Sequence, residues 1–193
     1  VSAVETLIEA IRHLESDGPR LVAIDGHSAA GKSTLAAEVA ETLEAAVIDG
    51  DDFYAGGPEE QWDAMTSAEK AAHCIDWRGQ RPVLDALIRG EEARWHSYDW
   101  ENGDGRLLEL PTVCRPAPVV ILEGVYSARP ELADLFQLRV LYDAPARLRH
   151  HRWVEREGEA YFDEWARRWA EAEDWYFTHV MTPDRFDLVL STD

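Results

Sequence analysis

Nine consecutive residues, Gly26-His27-Ser28-Ala29-Ala30-Gly31-Lys32-Ser33-Thr34, place two glycines, a lysine and hydroxyls in the spacing G-x-x-x-x-G-K-[ST]. Glycines let backbone N–H groups converge on an anion, a helix N-terminus adds positive partial charge, and the lysine reaches the outer phosphates. The chemistry is phosphate binding. Gly26, Ser28, Ala29, Ala30, Gly31, Lys32, Ser33 and Thr34 are expected to hold ATP, with the Ser33 hydroxyl on Mg²⁺. The chain has only two lysines, Lys32 and Lys70, against seventeen arginines, so a chance Gly-Lys-Ser is less expected here than in a lysine-rich protein.

Carboxylates and arginines supply the remaining chemistry. Asp49, Asp51 and Asp52 fall within four residues, and three carboxylates so close cannot all face one hydroxyl. One can accept a proton while another holds a magnesium-bound water, and a turn or helix-capping role competes with both. Glu123, followed by Gly124, stands where a phosphate-loop protein carries the acid that holds magnesium through water. The metal set is therefore read as Ser33, Glu123 and Asp49. Arg149, Arg152 and Arg156 recur at helical spacing after Asp143-Ala144-Pro145, and a solvated Arg/Glu helix face would show the same pattern.

These residues need a scaffold that delivers them to one edge. Arg20 to Asp25, Ala46 to Asp49, Pro118 to Glu123, Leu138 to Asp143 and Phe186 to Leu190 are short apolar runs without alternation. Such runs predict parallel strands covered on both faces. Leu35, Val39, Ala40 and Leu43 predict a helix after the glycine loop, and Val4, Leu7, Ile8, Ile11 and Leu14 an amphipathic helix at the start. Residues 146–180 read as helical with a break near Gly158. The long stretch 53–117 holds a helical patch at Val83 to Ile88 and turn-rich segments at Gly56-Gly57-Pro58 and Glu101-Asn102-Gly103-Asp104-Gly105. An excursion of that length off a compact sheet is the natural place for substrate recognition.

The ordered set of phosphate loop, Asp51-Asp52-Phe53-Tyr54, Tyr98-Asp99-Trp100, Glu123-Gly124 and the arginines of 147–156 resembles the uridine kinase family, with its nicotinamide riboside kinase and phosphoribulokinase relatives. The resemblance covers most of the chain. It implies an α/β P-loop NTPase three-layer sandwich: a five-stranded parallel sheet with helices on both faces, formed by 1–193 as a single domain. By position in that family, Asp51 is the base that takes the proton of the acceptor hydroxyl, with Lys32, Arg152 and Arg156 the other catalytic groups and Arg149 on the nucleotide. A mobile arginine lid is implied over about 144–160, where arginines neutralise the transferring phosphoryl group; Arg147 stays open as an alternative in its register. Asp76 corresponds to an acid that binds acceptor hydroxyls, and Tyr98 lies near the acceptor. Asp51, Tyr54, Asp76, Arg78, His96, Tyr98 and Trp100 are accordingly the expected acceptor site. One departure stands out: the family's base-reading histidine after the Tyr-Asp-aromatic element is missing, and His96 precedes it instead.

Composition narrows the partners. At a formal net charge of −19 the chain is a poor match for nucleic acid, whose binding needs clustered cations, so a small-molecule substrate is expected. The acidity reads as solvated helix faces, such as Glu155 to Glu159 and Glu171 to Asp174. Cys74 and Cys114 form no C-x-x-C pair and suit a reducing cytoplasm. No apolar run spans a membrane. A homo-oligomer is left open. Two other classes meet less support: a GTPase switch needs an Asn-Lys-x-Asp element, and the only asparagine, Asn102, has no lysine after it. A catalytically silent nucleotide-binding protein would have no use for Asp51 and the lid arginines.

Overall fold

The computed structural model describes residues 1–102 and 105–192. Gly103 and Asp104, part of the turn expected at 101–105, and Asp193 lie outside the described residues. In chain order the elements are α1 (Ala3–Arg12), β1 (Arg20–Asp25), α2 (Lys32–Leu43), β2 (Ala46–Asp49), α3 (Glu59–Asp63), α4 (Ser67–His73), α5 (Trp77–Ile88), β3 (Ala93–Trp95) and β4 (Thr112–Cys114). Then come β5 (Val119–Glu123), β6 (Leu138–Asp143), α6 (Ala146–Glu157), α7 (Glu159–Trp165), α8 (Glu171–Trp175) and β7 (Leu188–Ser191). Five-residue π-helical stretches, Ala166–Ala170 and Tyr176–Val180, flank α8.

The five apolar runs are the five strands of one sheet in the order β2-β5-β1-β6-β7, every pair parallel. Both faces are covered, which is why the runs do not alternate. Val22, Ile24, Ile121 and Val140 pack against Leu7, Ile11, Leu35 and Val39 of α1 and α2. Leu21, Ala23, Val120, Leu122 and Leu141 pack with Ala71, Val83, Leu84, Leu87, Tyr176 and Phe177 on the other face. Each fully buried aliphatic side chain contributes about 1.5–3 kcal/mol of burial free energy, so the two layers fix the sheet and with it the edge where its strands end.

The excursion is more ordered than its sequence suggests. Its helical patch extends to Trp77–Ile88 through an internal Pro82, and β3 pairs with β4 as a two-stranded antiparallel ribbon. Neither three-residue strand is long enough to announce itself by period. The break at Gly158 is real: its φ of 90° is open to glycine, and it ends α6 and starts α7. Among the described residues no helix is long and apolar enough to cross a membrane.

Candidate active site

β1 delivers the chain to the phosphate loop, and the loop's shape follows from what its backbone meets. A Cβ on Gly26 would lie 2.2 Å from the Tyr142 carbonyl oxygen, so no other residue fits there. Gly31, at φ 102°, turns the chain into α2, whose first turn has no side-chain cap. The free N–H groups of that turn form an anion site. Lys32 is the first residue of α2, only 7% exposed, and its Nζ donates to the His27 carbonyl at 3.0 Å. Ser33 and Thr34 follow, both exposed.

Register brings the acids to the same edge. Asp49 ends β2 and pairs with Glu123, the end of β5. Glu123 is 4% exposed; burial raises its pKa, while Lys32 and the Ser33 hydroxyl pull it back. The Asp49 carboxyl is pushed up to about 7 by burial and then by the neighbouring Asp51 charge, although one of its edges is open to solvent. Close approach of the two strand ends requires glycine, since a Cβ on Gly50 would lie 2.9 Å from the Glu123 carbonyl oxygen.

The structure separates the three aspartates by their partners. Asp49 accepts the Asp51 N–H at 2.9 Å, and Asp52 accepts the Trp95 indole N–H at 2.8 Å. Asp51 lies in the short turn after β2, open to solvent on one side and crowded by protein on the others. Crowding raises its pKa, while Lys32 and Arg156 lower it and Asp52 raises it further.

Ser33, Glu123 and Asp49 supply hard oxygen donors of the kind magnesium takes. Among the described residues no group of three or more His, Cys, Asp and Glu could hold a metal by itself.

The lid arginines are placed differently from one another. Arg149 donates to the Ala144 carbonyl at 3.2 Å; burial and then the Arg149 charge lower the His27 pKa, and Arg149 partly offsets the rise that burial gives Glu173. Arg152 grips the back of the phosphate loop, donating to the carbonyls of Ala30 at 2.7 Å and Ala29 at 3.3 Å, and reaches Thr192 at 3.3 Å. Arg156 is exposed, stacks on Trp153 at 4.7 Å, pairs with Glu157 at 2.9 Å and projects its charge toward Asp51. Arg147, at the start of α6, is exposed.

In the excursion Tyr54 is the centre of an aromatic group, with ring centroids of Tyr98, Trp100, Trp62 and Trp169 at 4.9, 5.1, 6.0 and 6.1 Å. Trp62 is buried at 3%, whereas Trp100 is 59% exposed, so the group is core at one end and surface at the other. Asp76 lies beside Phe53, its N–H donating to the Phe53 carbonyl at 2.8 Å and its carboxylate open to solvent. Arg78 lies over the Trp77 ring at 4.4 Å and toward Glu131. His96 is exposed, its Nδ1 paired with the Leu108 carbonyl at 2.8 Å, on the outward side of the ribbon from Trp95 and Ser97.

Several residues of the site gave no sequence signal. Asp25 is fully buried and accepts the N–H groups of Gly26, Tyr126 and Ala128 and the hydroxyl of Tyr176, at 2.8–3.0 Å. Glu173 corrects part of the reading of Glu171 to Asp174 as a solvated face: Glu171 and Asp174 are exposed, but Glu173 is 4% exposed and accepts the Ser28 N–H at 2.9 Å and hydroxyl at 2.5 Å. Arg168 ties the excursion to this helical region, donating to Asp63 at 2.8 Å and Glu59 at 3.0 Å, while buried Lys70 donates to the Arg168 carbonyl at 2.8 Å. An acid that ends a strand or a charged helix stripe looks alike whether buried or solvated, so only tertiary contacts distinguish them.

Two cavities flank these elements. One of about 340 Å³, lined by Pro130, Arg139, Arg185 and Asp187, lies at the starting end of β6, away from the phosphate loop. The other, about 160 Å³, lies between His27 and Ser28 of the loop and Arg149, Trp153, Trp165 and Glu173 of the lid helices.

No protein-family model matches the sequence, and no curated protein matches it. Solved structures do. The chain is similar to a possible uridine kinase from Bacillus stearothermophilus, at 21% identity and TM-score 0.73, over 97% of this chain and 96% of that one. A proposed fructose transport system kinase from Silicibacter sp. matches at 21% identity and TM-score 0.73, over 98% and 99%. D-glycerate 3-kinase from Cryptococcus neoformans matches at 14% identity and TM-score 0.57, over 88% and 84%. The fold is thus that of the P-loop small-molecule kinases, and the expected α/β sandwich with its five-stranded parallel sheet is the one observed.

Proposed function

We propose that this protein is an ATP-dependent kinase that transfers the γ-phosphoryl group to a hydroxyl of a small molecule, a nucleoside or nucleoside-like compound. The observation that carries the reading is Asp51: a solvent-exposed carboxylate two residues past the end of β2, with Lys32 and Arg156 near enough to favour its charged form, while Asp49 accepts the Asp51 N–H and Asp52 the Trp95 indole N–H. In-line transfer forms a bond between the acceptor oxygen and the γ-phosphorus, breaks the bond to the bridging oxygen, and releases ADP. Asp51 accepts the acceptor's proton. Lys32 and the α2 N-terminus stabilise charge on the phosphates, and Arg156 neutralises the transferring group. Ser33, Glu123 and Asp49 would hold magnesium, which when bound offsets charge on the β- and γ-phosphates.

A nucleoside-like acceptor is supported by open aromatic surface at Trp100 against Tyr54 and Tyr98, which suits a planar ring, and by Asp76, which suits vicinal hydroxyls. A second reading, a sugar or sugar-acid acceptor, is favoured by the fructose and glycerate named for two of the similar structures. A panel of nucleosides, sugars and sugar acids with ATP and Mg²⁺, followed by mass detection of products, separates them. Turnover of a plain sugar alone refutes the nucleoside reading and keeps the kinase; no phosphorylated product from any hydroxyl compound, with ATP still bound, refutes the kinase.

A further inference from the structure

The front half of the phosphate loop is already occupied by an anion from within the chain. Glu173 reaches it from α8, 145 residues away in sequence, and both its oxygens are used: one on the Ser28 N–H, the other on the Ser28 hydroxyl. Burial raises the Glu173 pKa, while the two Ser28 hydrogen bonds and the nearby Lys32 and Arg149 charges favour its carboxylate form. Lys32 meanwhile donates to the loop's own His27 carbonyl, and the His27 ring meets Asp174 at 3.1 Å. Consecutive acids of α8 thus hold consecutive residues of the loop, and the loop's lysine is turned inward. A phosphate brought to Ser28 and Lys32 would meet a carboxylate of like charge, and because that carboxylate is buried the repulsion is less screened than at the surface.

The surroundings of α8 suit displacement. The helix is five residues long, with a π-helical stretch on each side, a feature often found where helices adjust at functional sites. Upstream, Gly158 breaks the lid helices at a φ of 90°. A cavity of about 160 Å³ lies beside Glu173, lined also by Arg149 and by Trp153, whose buried indole N–H has no partner. It offers the side chain space to withdraw into.

We propose that Glu173 is a positioning residue that acts as an internal latch: it occupies Ser28 in the nucleotide-free protein and must withdraw from it when the nucleotide's phosphates enter. The inference rests on the nucleotide-binding reading of the loop. Its consequence is counter to the usual effect of removing a buried contact, because losing the carboxylate strengthens ligand binding.

The test is equilibrium binding of a non-hydrolysable ATP analogue with Mg²⁺ to wild type, Glu173→Gln, Glu173→Met and Lys32→Ala, each checked for folding by thermal melt. Met keeps the buried volume without charge, so it serves if Gln folds poorly. The latch predicts binding about tenfold tighter or more in both Glu173 variants, as expected for removing a close like charge, with wild-type binding dependent on Lys32. Wild-type binding that is unchanged or weakened in both Glu173 variants overturns the latch and leaves the loop's function standing. Absence of Lys32-dependent binding in wild type and variants alike overturns the reading of the loop, and the latch with it.

Discussion

The phosphate loop and the acceptor excursion solve the placement problem by opposite means. The loop is positioned by backbone: a glycine that fits only as glycine at 26, strand register that sets Asp49 beside Glu123, and a buried acid at 25 with four donors. The excursion is positioned by side chains, with Tyr54 packed among aromatics from three separate segments and a charged tie from Arg168 to Asp63 and Glu59. Backbone constraints hold one geometry and one ligand chemistry. Side-chain packing can be rebuilt without disturbing the sheet.

The contrast can be broken first at the base between the two regions. Asp51→Asn keeps shape but cannot accept a proton, and kcat is expected to fall on the order of 10²–10⁴-fold with nucleotide affinity spared. A larger kcat loss in Asp49→Asn or Asp52→Asn, in steady-state kinetics on all three, would reassign the base. Next comes the backbone anchor: Asp25→Ala leaves three N–H groups and the Tyr176 hydroxyl without their acceptor, and should cost about 3 kcal/mol or more of stability. Urea melts measure it, and an unaltered midpoint would show that the loop does not depend on this contact.

Smaller effects sharpen the acceptor side. Arg156→Ala should lower kcat about tenfold and change the ATP KM little, since an exposed guanidinium acts on transition-state charge in partly screened surroundings. A shift in thermal stability with normal turnover would instead mark it as a surface helix residue. Trp100→Ala should raise the acceptor KM only about threefold to tenfold, the value of one aromatic stacking contact, and leave ATP parameters alone. Equal changes for both substrates would place Trp100 outside the acceptor pocket.

What could be read in the sequence follows the same division. Gly26, Gly31, Lys32 and Ser33 are legible because backbone geometry demands particular residues at fixed local spacing, and the strands are legible because two covered faces forbid alternation. Asp51 is legible among its rivals only with the resemblance, and its separation from Asp52 needs Trp95, 43 residues away. Glu173 and Arg168 carry the residue types of a solvated helix, and their burial depends on partners at 28, 59 and 63 that no local pattern connects to them. The ribbon of β3 and β4 is too short for a period, and Gly79 and Pro82 disguise the first half of α5.

The central claim is that the loop presents ATP to an acceptor hydroxyl, and its most direct test follows the γ-phosphoryl group itself. Wild type and Lys32→Ala, both shown to be folded, are incubated with ATP, Mg²⁺ and the acceptor panel while ³¹P spectra are recorded. The account predicts one new phosphomonoester formed per ADP in wild type and a rate lower by on the order of 10²–10³-fold in the variant, the loss expected for one transition-state charge contact. A wild type that forms no phosphomonoester, or a Lys32→Ala that forms it equally fast, would contradict it.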